Sequence, residues 1–140
     1  MVLLDTDHMS LLQRGGAEGR QIRLRLRALP QDDVATTIVS YEEQMRGWLA
    51  RLARTTPPER QIFDYGELKK LLQSYCSFAV LDYDVEAAAE FQRLLALKLR
   101  IGTMDMKIAA VVLANGALLL TRNSTDFGKV PGLHTEDWSV

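Results

Sequence analysis

The sequence predicts an α/β fold: a three-layer α/β/α domain with a central parallel sheet. Two observations point there. Four short apolar runs, Val2 to Leu4, Val34 to Val39, Phe78 to Leu81 and Ala117 to Leu120, have the length and composition of strands buried on both faces. Between them lie longer stretches whose apolar residues recur at helical spacing. Strands that alternate with helices build a parallel sheet covered on both sides.

Taken in order, Val2 to Leu4 reads as a first buried strand that stops on a carboxylate, Asp5. Met9 to Arg14 is a short helix, capped by Asp7 or Ser10 and stopped by Gly15-Gly16. From Ala17 to Leu29, Ile22, Leu26 and Leu29 share a helical face, and Pro30 ends it. The β-branched run Val34 to Val39 is the second strand. A helix then starts at Ser40, with Glu43 three residues on as in a capping box. Thr55-Thr56-Pro57-Pro58 breaks the chain, and one of the prolines opens a helix running to about Gln73.

Phe78 to Leu81 is the third strand. Asp84 caps a helix from Val85 to Leu99 whose apolar face carries Ala88, Phe91, Leu95 and Leu99. Gly102-Thr103 opens a helix from Met104 to Ala114 that is apolar on most sides and therefore central, with Asp105 and Lys107 its only charges. Asn115-Gly116 turns the chain into a fourth strand, Ala117 to Leu120, and Leu133 to Glu136 is a last edge strand.

At 140 residues, without an internal repeat or long linker, the chain is read as a single domain over residues 1–140, large enough to bury a core. A 47% hydrophobic and 25% charged composition is that of an ordinary globular protein. No apolar run approaches the ~18 residues that span a bilayer, no signal segment opens the chain, and Cys76 has no partner for a disulfide; the expected compartment is the cytoplasm. A net charge of −1 neither suggests nor excludes nucleic acid. Seventeen basic residues, twelve of them arginine, would face a phosphate backbone if the acids gathered elsewhere; a mixed, solvated surface is the plainer reading.

Ligands of parallel α/β sheets bind beyond the carboxyl ends of the strands. Asp5 stands at such an end, although turn and cap roles are common for Asp there. Glu43 could be only the capping-box acid, and Glu42 beside it points about 100° away around the helix. Asp105 suits a helix dipole, yet it is a lone carboxylate at the tip of an apolar helix. After the fourth strand, Asn123 and Asp126 follow Thr121 and Arg122. His8, His134 and Cys76 lack the spacing of a zinc site, and there is no phosphate-binding glycine loop and no nucleophile elbow.

Four segments together resemble the PIN-domain ribonucleases, specifically the VapC-type toxins of toxin–antitoxin pairs. They are Leu4-Asp5-Thr6-Asp7, Glu42 to Gly47, Ile101 to Ala110 and Leu120 to Phe127, the last followed by Val130 to Leu133 and Glu136-Asp137-Trp138. The resemblance implies a PIN-like domain and a Mg²⁺-dependent endoribonuclease, with Mn²⁺ as alternative, leaving 5′-phosphate and 3′-hydroxyl ends. Asp5 and Asp105 would be metal ligands. Glu43 is preferred over Glu42 because the family's acid lies four residues before a glycine, here Gly47. It would hold the attacking water or act as general base, with Arg46 and Arg122 steadying phosphates. Many relatives have Asp where Asn123 stands, so Asn123 and Asp126 compete for the fourth position. Asp7 replaces a frequent Asn and adds a charge. The implied partners are substrate RNA, a cognate antitoxin protein and a second copy of the chain, with no membrane.

Two other readings compete. In one, the PIN fold is a catalytically weak scaffold that binds RNA or a protein partner, with Asn123 the mark of decay. In the other, Asp5-Thr6-Asp7 imitates the paired acids of a haloacid-dehalogenase-like phosphatase, although Met9 stands where that family needs Thr or Val.

Overall fold

The computed structural model describes all 140 residues, Met1–Val140. Five strands, β1 (Val2–Leu4), β2 (Val34–Thr37), β3 (Val80–Leu81), β4 (Leu118–Leu120) and β5 (Thr135–Glu136), form one sheet. Its order is β3-β2-β1-β4-β5 and every pairing is parallel. Val2 aligns with Val34 on one side and with Leu118 on the other, so β1 is the central strand. The chain builds outward from β1 to β3, then returns across it to β4. The reversal falls between β1 and β4, where a crevice opens at the carboxyl edge of such sheets.

The period of two sends alternate residues of each strand to opposite cores. Leu3, Ala35 and Leu119 enter one core with Ala87 and Leu94 of α5 (Val85–Ala96) and the run Ile108 to Val112 of α6 (Thr103–Ala114). Val2, Leu4 and Leu120 enter the other. Their neighbours there come from α1 (Thr6–Arg14), α2 (Ala17–Leu26) and α4 (Gln61–Cys76), namely Met9, Leu11, Ile22 and Leu71. Helix α3 (Ile38–Arg54) crosses between the layers, giving Val39 to the first core and Tyr41, Met45 and Trp48 to the second. This is the three-layer α/β/α arrangement with a central parallel sheet. No helix is long and apolar enough to cross a membrane.

The elements follow the expected order, with corrected ends. Helix α1 begins at Thr6 rather than Met9, because Asp5 itself is the N-cap and accepts the His8 amide at 2.7 Å. The second strand ends at Thr37, not Val39, and Ser40 is no cap. Thr37 takes that place, its hydroxyl accepting the Ser40 amide at 3.0 Å, so the β-branched Ile38 and Val39 are helical. The Ser40–Glu43 capping box is therefore not formed. Helix α2 stops at Leu26, α5 at Ala96 and α4 at Cys76, against expected ends at Leu29, Leu99 and about Gln73. The inward face of α5 is carried by Ala87 and Leu94, whereas Leu95 is half-exposed. A short helix, α7 (Ser124–Phe127), lies in what the sequence reads as a polar stretch after the fourth strand.

Candidate active site

Three acids from distant segments come near one another at the carboxyl edge of the sheet. Asp5 is fixed first. Strand β1 ends at Leu4, the Asp5 amide donates to the Leu120 carbonyl at 3.1 Å, and the side chain turns back to cap α1. Oδ1 is thereby occupied, while Oδ2 receives no hydrogen bond from the protein. Asp5 is 5% exposed, so a carboxylate sits almost buried at the strand end.

Glu43 arrives from the second turn of α3. The Thr6 hydroxyl donates to its Oε1, joining the start of α1 to α3. Glu42, one residue earlier, pairs outward with Arg46. The 100° step of the helix thus separates the two glutamates, and it is Glu43 that meets Thr6, next to Asp5, and bears on Asp105.

Asp105 stands in the first turn of α6, in which Ile108 to Val112 are fully buried. Its carboxyl is pushed up to about 6, chiefly by burial, then by repulsion from Glu43, Asp5 and Asp126. The same acids bear on Tyr75, whose phenol is raised by burial first and then by Glu43 and Asp5; its hydroxyl donates to Gln44. No lysine or arginine pairs with Asp5, Glu43 or Asp105. An uncompensated group of carboxylates is unfavourable without a cation.

Asn123 and Asp126 are not independent. Asn123 caps α7, accepting the Asp126 amide at 3.2 Å, and its Nδ2 donates to Asp126 Oδ2 at 3.1 Å. Asp126 also receives Lys129 at 3.3 Å. The Asn123 amide and Lys129 together hold the Asp126 carboxyl below its usual range. Between these two residues, Asp126 is the one whose charge reaches Asp105.

The basic side chains nearby are engaged. Arg122 forks onto Asp7, with Nε at 2.6 Å and the second nitrogen at 3.3 Å, and lies 3.5 Å from Glu18. The extra negative charge of Asp7 is thus met within the fold. Elsewhere, a groove of about 580 Å³ between Leu26, Leu29, Val34 and Phe78 opens at the amino ends of β2 and β3, away from the three acids.

Sequence reasoning passed over His8 except as a zinc ligand. It is fully buried, with Nδ1 3.6 Å from Asp5 Oδ1 and Nε2 accepting the Trp138 amide at 3.2 Å. The available signal was its position three residues after Asp5, one turn along the helix that Asp5 caps. Thr6, the link to Glu43, was likewise legible only as part of a motif.

No group of three or more His, Cys, Asp or Glu side chains is close enough to hold a metal ion by itself. Asp5, Glu43 and Asp105 nevertheless offer only oxygen donors, and none of the three pairs with a lysine or arginine. That chemistry fits Mg²⁺ or Mn²⁺, hard cations that retain several waters rather than filling their sphere from protein.

A parallel sheet in this order, with acids gathered at its reversal point, describes a known class. The chain belongs to the PIN-domain family, whose model matches residues 2–133. Among individual proteins, it is similar to a tRNA(fMet)-specific endonuclease VapC of Shigella flexneri, with 39% identity over 64 residues, 43% of this chain and 48% of that protein. The chain spans about half the length of the curated relatives it matches. Among solved structures, VapBC-1 from nontypeable Haemophilus influenzae superposes with a TM-score of 0.73 at 22% identity over 100% of each chain. DNA-bound VapBC from Salmonella typhimurium gives 0.72 at 23% identity, covering 98% of this chain and 97% of that one. At such identities these structures share the fold.

Proposed function

We propose that the chain is a metal-dependent endoribonuclease, the toxin of a type II toxin–antitoxin pair. The observation that carries this reading is the elevation of Asp105 to about 6 by burial and by Glu43, Asp5 and Asp126. Asp105, Glu43 and Asp5, which crowd the edge of a sheet with no lysine or arginine partner, favour a divalent cation. Family membership supports RNA as the polymer, and the VapC relatives make tRNA(fMet) the substrate to try first. The VapBC structures, which are toxin–antitoxin complexes of other chains, support a cognate antitoxin here. Self-association and a cytoplasmic site of action belong to the same reading.

Asp5 and Asp105 would hold the cation, which when bound supplies Lewis-acid polarisation of the phosphodiester and activation of water. Asp5 offers its unpaired Oδ2 for this, its Oδ1 being tied to α1. Glu43, steadied by Thr6, orients the attacking water or takes its proton in line with the leaving oxygen. Asp126 adds negative charge from α7, while Asn123 positions it through both atoms of its amide. Of the two candidates for the fourth position, Asp126 is therefore the acid and Asn123 its support. Arg122 is spent on Asp7 and Glu18, and Arg46 on Glu42, so either would have to exchange partners to reach phosphate.

Purified protein is expected to cleave tRNA with Mg²⁺ or Mn²⁺ and to stop with EDTA. Asp5→Asn and Asp105→Asn should each lose more than the roughly 10–100-fold that removal of an outer-shell partner costs, with circular dichroism unchanged. Metal-independent cleavage, or full activity in both variants, would overturn the reading. The neutral Asn123 favours one alternative, the catalytically weak scaffold; calorimetric titration with Mg²⁺ separates them, since a decayed site would take up no cation. The phosphatase alternative is disfavoured because Asp7, its second acid, is bound by Arg122.

A further inference from the structure

His8 is the one residue whose buried side chain has a polar atom without a partner, Nδ1. An unsatisfied buried donor is destabilising, and an aliphatic residue could fill the same space without that penalty. The other ring nitrogen identifies the proton. A backbone amide can only donate, so Nε2, 3.2 Å from the Trp138 nitrogen, carries the lone pair. The proton of the neutral ring is then on Nδ1. Asp137 Oδ1 also lies 3.6 Å from Nε2, but it already receives the Ser139 amide at 2.9 Å and the Ser139 hydroxyl at 2.6 Å.

Nδ1 is 3.6 Å from Asp5 Oδ1, beyond hydrogen-bond range by about half an ångström. That oxygen is the one already held by the His8 backbone amide. A small rotation of the ring would place two donors of one residue on Oδ1 and none on Oδ2. The segment that sets the tautomer is itself anchored. The Arg25 guanidinium lies 4.6 Å over the Trp138 ring, and the Trp138 indole donates to Glu136 at 2.6 Å, with Arg25 3.9 Å from the same carboxylate. Residues 130 positions apart are thereby coupled through one imidazole.

We propose that His8 is a positioning residue for Asp5. Its Nδ1–H, directed by the Trp138 amide on the other ring nitrogen, faces Oδ1 and, after that small rotation, holds it so that Oδ2 is presented to the divalent cation. This inference rests on the nuclease reading above.

The test measures Mn²⁺ binding by calorimetry, with Mn²⁺ alone as probe, alongside ¹⁵N NMR of the histidine rings in the metal-free protein. The NMR is expected to report the neutral Nδ1–H tautomer for His8. His8→Leu should stay folded and bind Mn²⁺ about 10–100-fold more weakly, as expected for loss of an outer-shell partner. His8→Asn, whose amide nitrogen can stand in for Nδ1, should recover most of that loss, whereas His8→Gln should not. In RNA cleavage the defect of His8→Leu should shrink at high Mn²⁺, as positioning of a ligand requires. Equal Mn²⁺ binding by the unaltered protein and His8→Leu, or an Nε2–H tautomer, would overturn this inference alone. Absence of Mn²⁺ binding by the unaltered protein would overturn the nuclease reading, and this inference with it.

Discussion

At Asp105 three other carboxylates bear on a single side chain, and the consequence is a stability that depends on pH. The group ionises near 3.8 in the unfolded chain but near 6 in the metal-free fold. Between about pH 4 and 6 the native state therefore keeps a proton that the unfolded state has lost, and stability falls as pH rises through this window. Asp105→Asn removes that titration. Urea midpoints of the metal-free variant should vary less between pH 4 and 7 than those of the unaltered protein and be higher at pH 7; a parallel pH profile would contradict the assignment. Asp5 and Asp105 were legible as candidates because each stands at an abrupt change from apolar to charged sequence. The choice of Glu43 over Glu42 needed either the spacing to Gly47 or the Thr6 contact. The coupling of Asn123 to Asp126 was hidden, because a residue three positions before an acid reads equally well as a rival ligand or as a cap.

Helices α1 and α2 approach so closely that a Cβ on Gly19 would overlap the Leu11 carbonyl oxygen. In an unhindered helix alanine would be favoured over glycine by about 1 kcal/mol. Here the obstacle is backbone, which cannot swing aside, so overpacking of about 1–3 kcal/mol should outweigh the gain. Gly19→Ala is expected to lower the urea midpoint; a rise would mean that the helices separate freely. A second test lies between α3 and α4, where buried Asp64 takes Arg51 at 2.8 Å and the Thr55 hydroxyl at 2.9 Å. Asp64→Ala should cost about 1.5–3 kcal/mol, the range of a hydrogen bond to a charged group, in equilibrium unfolding. Element types were readable from periodicity, and their ends were not. Ile38 and Val39 favour strands by propensity, but Thr37 caps a helix in front of them and the tertiary fold decides. Helix α7 has four residues, too few to display a period.

The whole molecule should respond to the cation, because the folded state gathers the acids and the unfolded chain disperses them. Mg²⁺ at a hundred times its dissociation constant would stabilise the fold by about 2.7 kcal/mol. A thermal scan should show the midpoint rising by several degrees with Mg²⁺, and no rise in Asp5→Asn or Asp105→Asn. The layered parallel architecture was accessible from the sequence because β1 and β4 are apolar on both faces and the connections between the first four strands hold helices long enough to show a period. The distribution of the arginines was not. Arg25, Arg46, Arg51, Arg93 and Arg122 each meet a carboxylate, so the surface is more mixed than a segregation of charge would give.

Central β1 waits for β4. Val2 pairs with Leu118, and Asp7 meets Arg122, 115 positions later in the chain. Such distant pairings are late events in folding, since the loop they close must first be ordered. On the ribosome, Asp5 is made well before Asp105 and Asp126, so these acids can meet only after β4 and α7 have followed β1. A nascent chain lacking β4 and α7 therefore holds an unfinished sheet and an unassembled candidate site.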